Sequence, residues 1–405
     1  MQAVGVVVEY NPFHNGHLHH VASARKQSQA DVVIAVMSGS FLQRGEPALL
    51  SKWARTRMAL ASGVDIVIEL PYAYSVQKAE RFAEGAVKAL DALGTSSINF
   101  GSEAGDIEAF KQLLTFMKTH QDPYHNAVRT YVKEGISYPA AQAKAFQSLN
   151  PDRNLLALST PNNILGYHYV KALNDFNLRP SATTTPRTQS GYHDLSLGVG
   201  SIASATSIRK ALMGEKDLKA IARVVPESTL AGLESYEAEN GLFHTWENYF
   251  PYLQHRVLTA SLAELASVYE CEEGLEYRMR ETIAGADSFS SWISQLKTKR
   301  YTHTRLQRLI THLLTNTTKE ELDTIHSQKT LPYVRLLGMT ADGKRYLNKQ
   351  KKKMEIPLIS RLAKVDGLMG KLDIRSSRVY CLAFPAKLGA LRMKEEFSTT
   401  PIRME

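Results

Sequence analysis

Four apolar runs separated by helical stretches fill the first hundred residues: Ala3–Val8 (AVGVVV), Asp31–Met37 (DVVIAVM), Asp65–Leu70 (DIVIEL) and a shorter one, Ser97–Phe100. Each has the length and the Val/Ile content of a buried strand. Between them, Gly16–Gln29, Ser51–Ser62 and Lys78–Leu93 carry apolar residues at helical spacing. Strand, helix, strand repeated in this way predicts a parallel sheet with right-handed crossovers. Ligands of such sheets bind outside the carboxyl ends of the strands, which directs attention to the segments after Val8, Met37, Leu70 and Phe100.

Further along, Asp106–Lys144 and Pro161–Leu173 read as helical, Arg179–Arg187 as extended and Ser204–Leu212 as a short helix. The Gly- and Ser-rich Thr188–Ala203 reads as a mobile loop, with Tyr192, His193 and Asp194 suggesting a lid. Beyond Gly214 strand signals fade and helical ones take over. The expected fold class is therefore α/β: a Rossmann-like parallel-sheet domain over residues 1–214, then a mainly helical region over 215–405. A length of 405 residues suits two or three domains. No apolar run approaches the ~20 residues of a membrane span, and Met1–Glu9 lacks the basic start of a secretory leader. Cys271 and Cys381 form no Cys-x-x-Cys pair and cannot make a disulfide framework, so a cytoplasmic location is expected.

The formal charge is +9, and its placement matters more than its size. Lys297 to Lys353 contains fourteen basic residues against four acidic ones, leaving the rest of the chain close to neutral. A balanced amino-terminal half followed by a basic one suggests a catalytic body with a polyanion-binding appendix; a solvated charged face is the plainer account. Arg305 and the run Lys351, Lys352 and Lys353, interleaved with tyrosines, are the candidate nucleic-acid contacts.

The strongest local signal follows the first strand directly: Glu9-Tyr10-Asn11-Pro12-Phe13-His14-Asn15-Gly16-His17. Two histidines flank a glycine at a helix start, where unpaired backbone N–H groups and the helix dipole favour an anion. Imidazole donors placed there can clamp a phosphate and offset the charge that builds during displacement. Later, Ser204-Ala205-Thr206-Ser207-Ile208-Arg209 joins a hydroxyl-rich helix start to an arginine, a second arrangement suited to phosphate oxygens.

His14-Asn15-Gly16-His17 resembles the H-x-G-H signature of the nucleotidyltransferase superfamily, and Ser204–Arg209 resembles its second signature. Together with Met37–Pro47, Phe100–Glu103 and Ser159–Gly166, these segments resemble the tRNA(Met) cytidine acetate ligase family over essentially the whole length. The resemblance implies that ATP and acetate give acetyl-adenylate, whose acetyl group passes to N4 of the wobble cytidine of elongator tRNA(Met). It implies His14 and His17 as catalytic residues and an ATP-binding loop comprising Val7, Val8, the segment Glu9 to His17, Leu18, His19 and His20. Gly101, Asn162, Arg187, Ser204, Ser207 and Arg209 are the implied further nucleotide contacts. Magnesium held mainly by the phosphates is expected, with no metal site of the protein's own.

Each feature also has a plainer account. The histidines can be cap residues packed on the sheet, Asn162 a simple helix start, and the Arg209 turn an ordinary capped helix. Arg44 and Lys52 fit either phosphate or RNA contacts or a solvated loop. A small-molecule adenylyltransferase of the same superfamily, or a nucleotide-regulated RNA-binding protein without catalysis, accommodates part of this pattern. The basic carboxyl-terminal half favours a tRNA substrate over a small metabolite.

Overall fold

The valine-rich runs form strands β1 (Ala3–Val8), β2 (Val32–Ser38), β3 (Ile66–Leu70) and β4 (Ser97–Ser102), joined by β5 (Ser181–Pro186). In the computed structural model, which describes residues 1–152, 155–187, 200–214 and 218–405, these five pair in parallel in the order β5-β4-β1-β2-β3. Val4, Val6 and Val8 share one core with Val33, Ala35 and Met37, while Ala3, Val32, Ile34 and Val36 face the other. Both faces are buried, so the strands read as continuous apolar runs instead of alternating ones. Each such valine, isoleucine or methionine side chain withdrawn from water contributes about 1.5–3 kcal/mol. The helices α1 (Asn15–Ser28), Lys52–Ala61 and Ala205–Gly214 cover one face, and Ala79–Ala92 and Pro161–Asp175 the other.

The chain beyond residue 217 is mainly helical, and it also returns to the sheet. β6 (Val334–Thr340) pairs antiparallel with β3, and β7 (Leu358–Ile359) and β8 (Ile402–Met404) pair parallel with β6. The mainly helical carboxyl-terminal region is as expected; within it β6 to β8, which the fading strand signals beyond Gly214 did not mark, extend the amino-terminal sheet. β6 carries Arg335 in its middle, which masks its strand character. The guanidinium is 1% exposed, reaches Glu69 at 2.8 Å and contacts Glu396. Lys52 completes a buried quartet, with Nζ 2.8 Å from Glu69 and 2.6 Å from Glu396. Two cations and two carboxylates thus tie together β3, β6, the helix that starts at Lys52 and the helix Ala386–Ser398.

The antiparallel pairing also fixes where the basic run lies. Arg335 stands opposite Glu69 near the carboxyl ends of the parallel strands, and Met339 opposite Ile66 at their amino ends. The helix Ala341–Gln350 and the following Lys351, Lys352 and Lys353 therefore leave from the amino end; Tyr346 anchors this helix by donating to the Gly94 carbonyl at 2.8 Å.

Among the described residues no helix is long and apolar enough to cross a membrane, and Cys271 and Cys381 are buried free thiols.

Candidate active site

His14 is the N-cap of α1, held extended at φ −144°. Its Nδ1 accepts from the Gly16 N–H at 3.1 Å, and His17 Nδ1 accepts from the His14 N–H at 3.3 Å. The H-x-G-H tetrapeptide is thus a reciprocal helix cap made from two imidazoles. With each Nδ1 occupied by a backbone donor, the neutral rings carry their protons on Nε2. A Cβ on Gly16 would lie 2.9 Å from His14 Cε1, so the neighbouring ring itself requires glycine there. The cap and the anion site are therefore compatible, not rival, uses of the same residues.

The two rings line a cleft of about 300 Å³ at the carboxyl ends of the parallel strands. Burial pushes His14 down to about 3 and His20 down to about 4, and holds His17 well below the usual imidazole range. The nearby Arg187 acts in the same direction on all three. These rings are neutral near pH 7 in the free protein. His20 lies 2.9 Å from Asn99 Oδ1, to which its Nε2 donates.

Val7, Val8, Glu9, Tyr10, Asn11, His19, Gly101, Asn162, Arg187, Ser204 and Arg209 line the same cleft. Glu9 accepts from the Gln43 N–H at 2.9 Å, and burial raises its carboxyl above the usual range. Arg209 donates to the Asn11 carbonyl at 3.0 Å and to Glu46 at 3.2 Å, bridging the first loop to the segment after β2. The Asn162 amide donates to Glu103 at 2.7 Å, which organises the start of its helix at the cleft edge. At Gly101 a Cβ would meet only Arg187 Cγ at 3.6 Å and the Thr185 carbonyl at 4.0 Å. The protein leaves that space open.

Other sequence candidates stand back from the cleft. Phe13 is fully buried among its core neighbours, Leu18 is 40% exposed, and Pro12 precedes Phe13 in the turn. Asn15 donates to the carbonyls of Ser201 and Arg223 at 2.8 and 3.1 Å, fixing α1 against the later segment. Ser207 is 1% exposed; its N–H donates to Ser204 Oγ at 3.1 Å, so it serves the cap of its own helix. Lys52 belongs to the buried quartet. Tyr192, His193 and Asp194 lie outside the described residues.

Several cleft residues are not singled out in the sequence. Leu42, Gln43 and Glu46 arrive from the loop after β2, beside the candidate Arg44 and within the Met37–Pro47 segment to which the strand-end rule and the resemblance point; Phe82 arrives from the helix after β3 and Tyr169 from the helix Pro161–Asp175.

The basic residues are dispersed. Lys351, Lys352 and Lys353 are exposed, at the opposite end of the sheet from His14. With ~3.3 Å of rise per residue, the strands separate the two ends by roughly 20 Å. Arg305 is paired with Glu272 at 2.6 Å and lies over Tyr301, its guanidinium 4.8 Å from the ring centre. Arg300 and Arg308 are paired with Glu273 and Glu270. Part of the apparent positive window is therefore neutralised by carboxylates that precede it in sequence.

A parallel sheet whose first strand-to-helix turn is capped by paired histidines facing a cleft defines a nucleotidyl transferase of the HIGH type, and the family model for HIGH Nucleotidyl Transferase matches residues 1–395. The tRNA(Met) cytidine acetate ligase of Halalkalibacterium halodurans is 54% identical over 100% of this chain and 98% of its own length. That of Bacillus subtilis is 47% identical over the same shares. Crystal structures of Thermotoga maritima TmcAL, one apo and one bound with alpha-thio ATP, superpose with TM-scores of 0.91 and 0.89, at 32% identity and full coverage of both chains. The chain belongs to the tRNA(Met) cytidine acetate ligase family.

Proposed function

We propose that this protein joins acetate to ATP as acetyl-adenylate, with release of pyrophosphate, and passes the acetyl group to N4 of the wobble cytidine of elongator tRNA(Met). The observation that carries this reading is the His14–His17 cap, whose two Nε2–H groups belong to a cleft also lined by Arg187 and Arg209. Acetate is already an anionic nucleophile, so the first step needs no base; it needs two anions brought together and the α-phosphate stabilised as charge builds. Neutral imidazole donors and flanking guanidiniums supply that. Val7 to His20, Gly101, Asn162, Arg187, Ser204, Ser207 and Arg209 make up the proposed nucleotide site, with Pro12, Phe13, Asn15, Leu18 and Ser207, which stand back from the cleft, contributing through the backbone.

Among the described residues no group of three or more His, Cys, Asp or Glu is placed to hold a metal ion. Magnesium carried on the triphosphate would neutralise the departing pyrophosphate.

We assign acetate activation to residues 1–214 and tRNA binding to 215–405, with β6–β8 holding the two together. Arg305, Lys351, Lys352 and Lys353 are proposed tRNA contacts, the lysines far enough from the cleft to grip a part of the tRNA remote from the wobble base. The cytoplasm is the proposed compartment, in keeping with two free thiols.

The test is incubation with labelled acetate, ATP and bulk tRNA, then digestion to nucleosides. Label in N4-acetylcytidine, dependent on ATP and not supplied by acetyl-CoA, is the expected result. Absence of label in RNA, with pyrophosphate released on another substrate, would move the protein to the small-molecule adenylyltransferases.

A further inference from the structure

Transfer to the cytidine poses a problem that activation does not. The exocyclic amine enters neutral, and forming the N–C bond makes its nitrogen acidic, so a proton must leave as the amide forms. The cleft histidines are poorly suited to take it. His14 and His17 have committed Nδ1 to backbone N–H groups and carry protons on Nε2, the Nε2 of His20 is turned to Asn99, and exposed His19 turns its Nε2 to the Ser23 hydroxyl at 3.4 Å on its own helix. Tyr10 and Tyr169 line the cleft as buried phenols, held in the protonated form by that burial.

Two carboxylates line the cleft among the described residues, Glu9 and Glu46. Glu46 is paired with Arg209 at 3.2 Å. Glu103, nearby, accepts from Thr160, Asn162 and the Asn163 N–H at 2.7 to 2.9 Å and is fully engaged. Glu9 stands at the end of β1, with Oε1 fixed by the Gln43 N–H at 2.9 Å. Its backbone carbonyl is gripped by Arg55 at 2.7 Å, which anchors the residue without neutralising its carboxylate directly. The cleft it lines also has an apolar part contributed by Leu42, Phe82, Phe100 and Tyr169, a wall suited to a flat base.

Resting on the acetate-ligase reading, we propose that Glu9 is the general base of the transfer step, accepting the N4 proton of the cytidine. The nitrogen lone pair attacks the acetyl carbon, the C–O bond of the mixed anhydride breaks, AMP leaves with the bonding pair, and the proton passes from N4 to Glu9 and then to solvent. Charged and titratable groups around Glu9 come from every side: Arg44 and Glu46 from the loop after β2, Arg209 from its helix, Arg55 from the helix beneath and Tyr169 from the opposite wall. Burial, the largest influence, keeps the carboxyl more basic than a solvated one, which suits a proton acceptor working near neutral pH.

The experiment measures two steps separately in Glu9→Gln and Glu9→Asp, with thermal unfolding as a check on folding. Acetate-dependent exchange of pyrophosphate into ATP reads activation; single-turnover acetylation of tRNA from isolated acetyl-adenylate reads transfer. Glu9→Gln keeps an oxygen for the Gln43 N–H; because Glu9 also belongs to the nucleotide site, activation is expected to fall as well, and the base assignment requires transfer to fall at least ~100-fold further than activation does, the usual contribution of a positioned base. Wild-type transfer rises with pH through one ionisation that vanishes in Glu9→Gln, and Glu9→Asp recovers part of the rate. Loss of both steps in parallel, or undiminished transfer in Glu9→Gln, overturns the assignment. Absence of exchange in the wild-type protein instead overturns the acetate-ligase reading itself.

Discussion

The ring of His14 stacks on that of His17 with centroids 3.7 Å apart, and His17 Nδ1 binds the backbone N–H of His14. Each ring orients the other, and the pair closes the first turn of α1. Removing one should therefore disturb the donor geometry of both.

Replacement of His17 by Ala is expected to lower acetyl-adenylate formation by about 100- to 1,000-fold, the loss typical of a preorganised donor at a developing charge. Equilibrium tRNA binding should stay close to wild type, because the exposed lysines lie at the other end of the sheet. Pyrophosphate exchange at the wild-type rate in His17→Ala would remove the histidines from the mechanism.

Gly101 offers a cleaner separation of ligand and fold. An added Cβ meets nothing closer than 3.6 Å within the protein, and β4 keeps its pairing. Gly101→Ala should leave stability within about 0.5 kcal/mol. If an adenosine lies against this backbone, the same substitution raises the KM for ATP several-fold. Unchanged ATP kinetics would place the nucleotide elsewhere in the cleft.

Lys351, Lys352 and Lys353 test the remote grip on tRNA. Each phosphate contact contributes ~0.7–0.9 to the slope of log affinity against log salt. Changing all three lysines to Gln should flatten that slope by roughly 2–3 and leave acetyl-adenylate formation unaltered. An unchanged slope would make the run a solvated face.

The parallel half of the sheet was legible because Ala3–Val8, Val32–Ser38 and Ile66–Leu70 are buried on both faces and had to be apolar throughout. The cap was legible because H-x-G-H sits at the one turn where chain order and anion chemistry coincide. β6 was not: Arg335 breaks its apolar run, and only the arrival of Glu69, Glu396 and Lys52 from three distant segments makes its burial tolerable. Charge counting within the window likewise does not reveal that Arg305 and Arg308 are paired with Glu272 and Glu270, which lie outside it. Phe82 and Tyr169 join the cleft through packing between helices, which local patterning does not encode.

The quartet that hides Arg335 also supplies a stability prediction. Lys52→Met removes a cation from two buried carboxylates and leaves Arg335 to serve both. The expected loss is about 3–5 kcal/mol in denaturant unfolding, as for other broken buried pairs. Loss below 1 kcal/mol would mean that water enters the site.

Acid should unfold this protein through its buried histidines. His312 lies in the core with Nδ1 3.0 Å from the Tyr72 hydroxyl and Nε2 3.1 Å from the Val76 carbonyl, to which it donates. Burial pushes it down to about 3, and the nearby Arg308 acts in the same direction; His14 and His20 are similarly depressed. In the unfolded chain these rings titrate near 6.5. The folded state holds them neutral, so the unfolded state binds more protons below pH 6.5 and stability falls as the pH drops from there toward 4. Each fully depressed ring costs about 2 kcal/mol by pH 5. Urea unfolding at pH 7.5, 6.5 and 5.5 should show little change over the first step and a marked fall over the second. His312→Gln should be less stable than wild type at pH 7.5, because the hydroxyl and carbonyl lose a well-placed partner, yet its stability should decline less steeply toward pH 5.5. Equal pH dependence in the two proteins would show that His312 is already protonated in the folded state or stays neutral in the unfolded one.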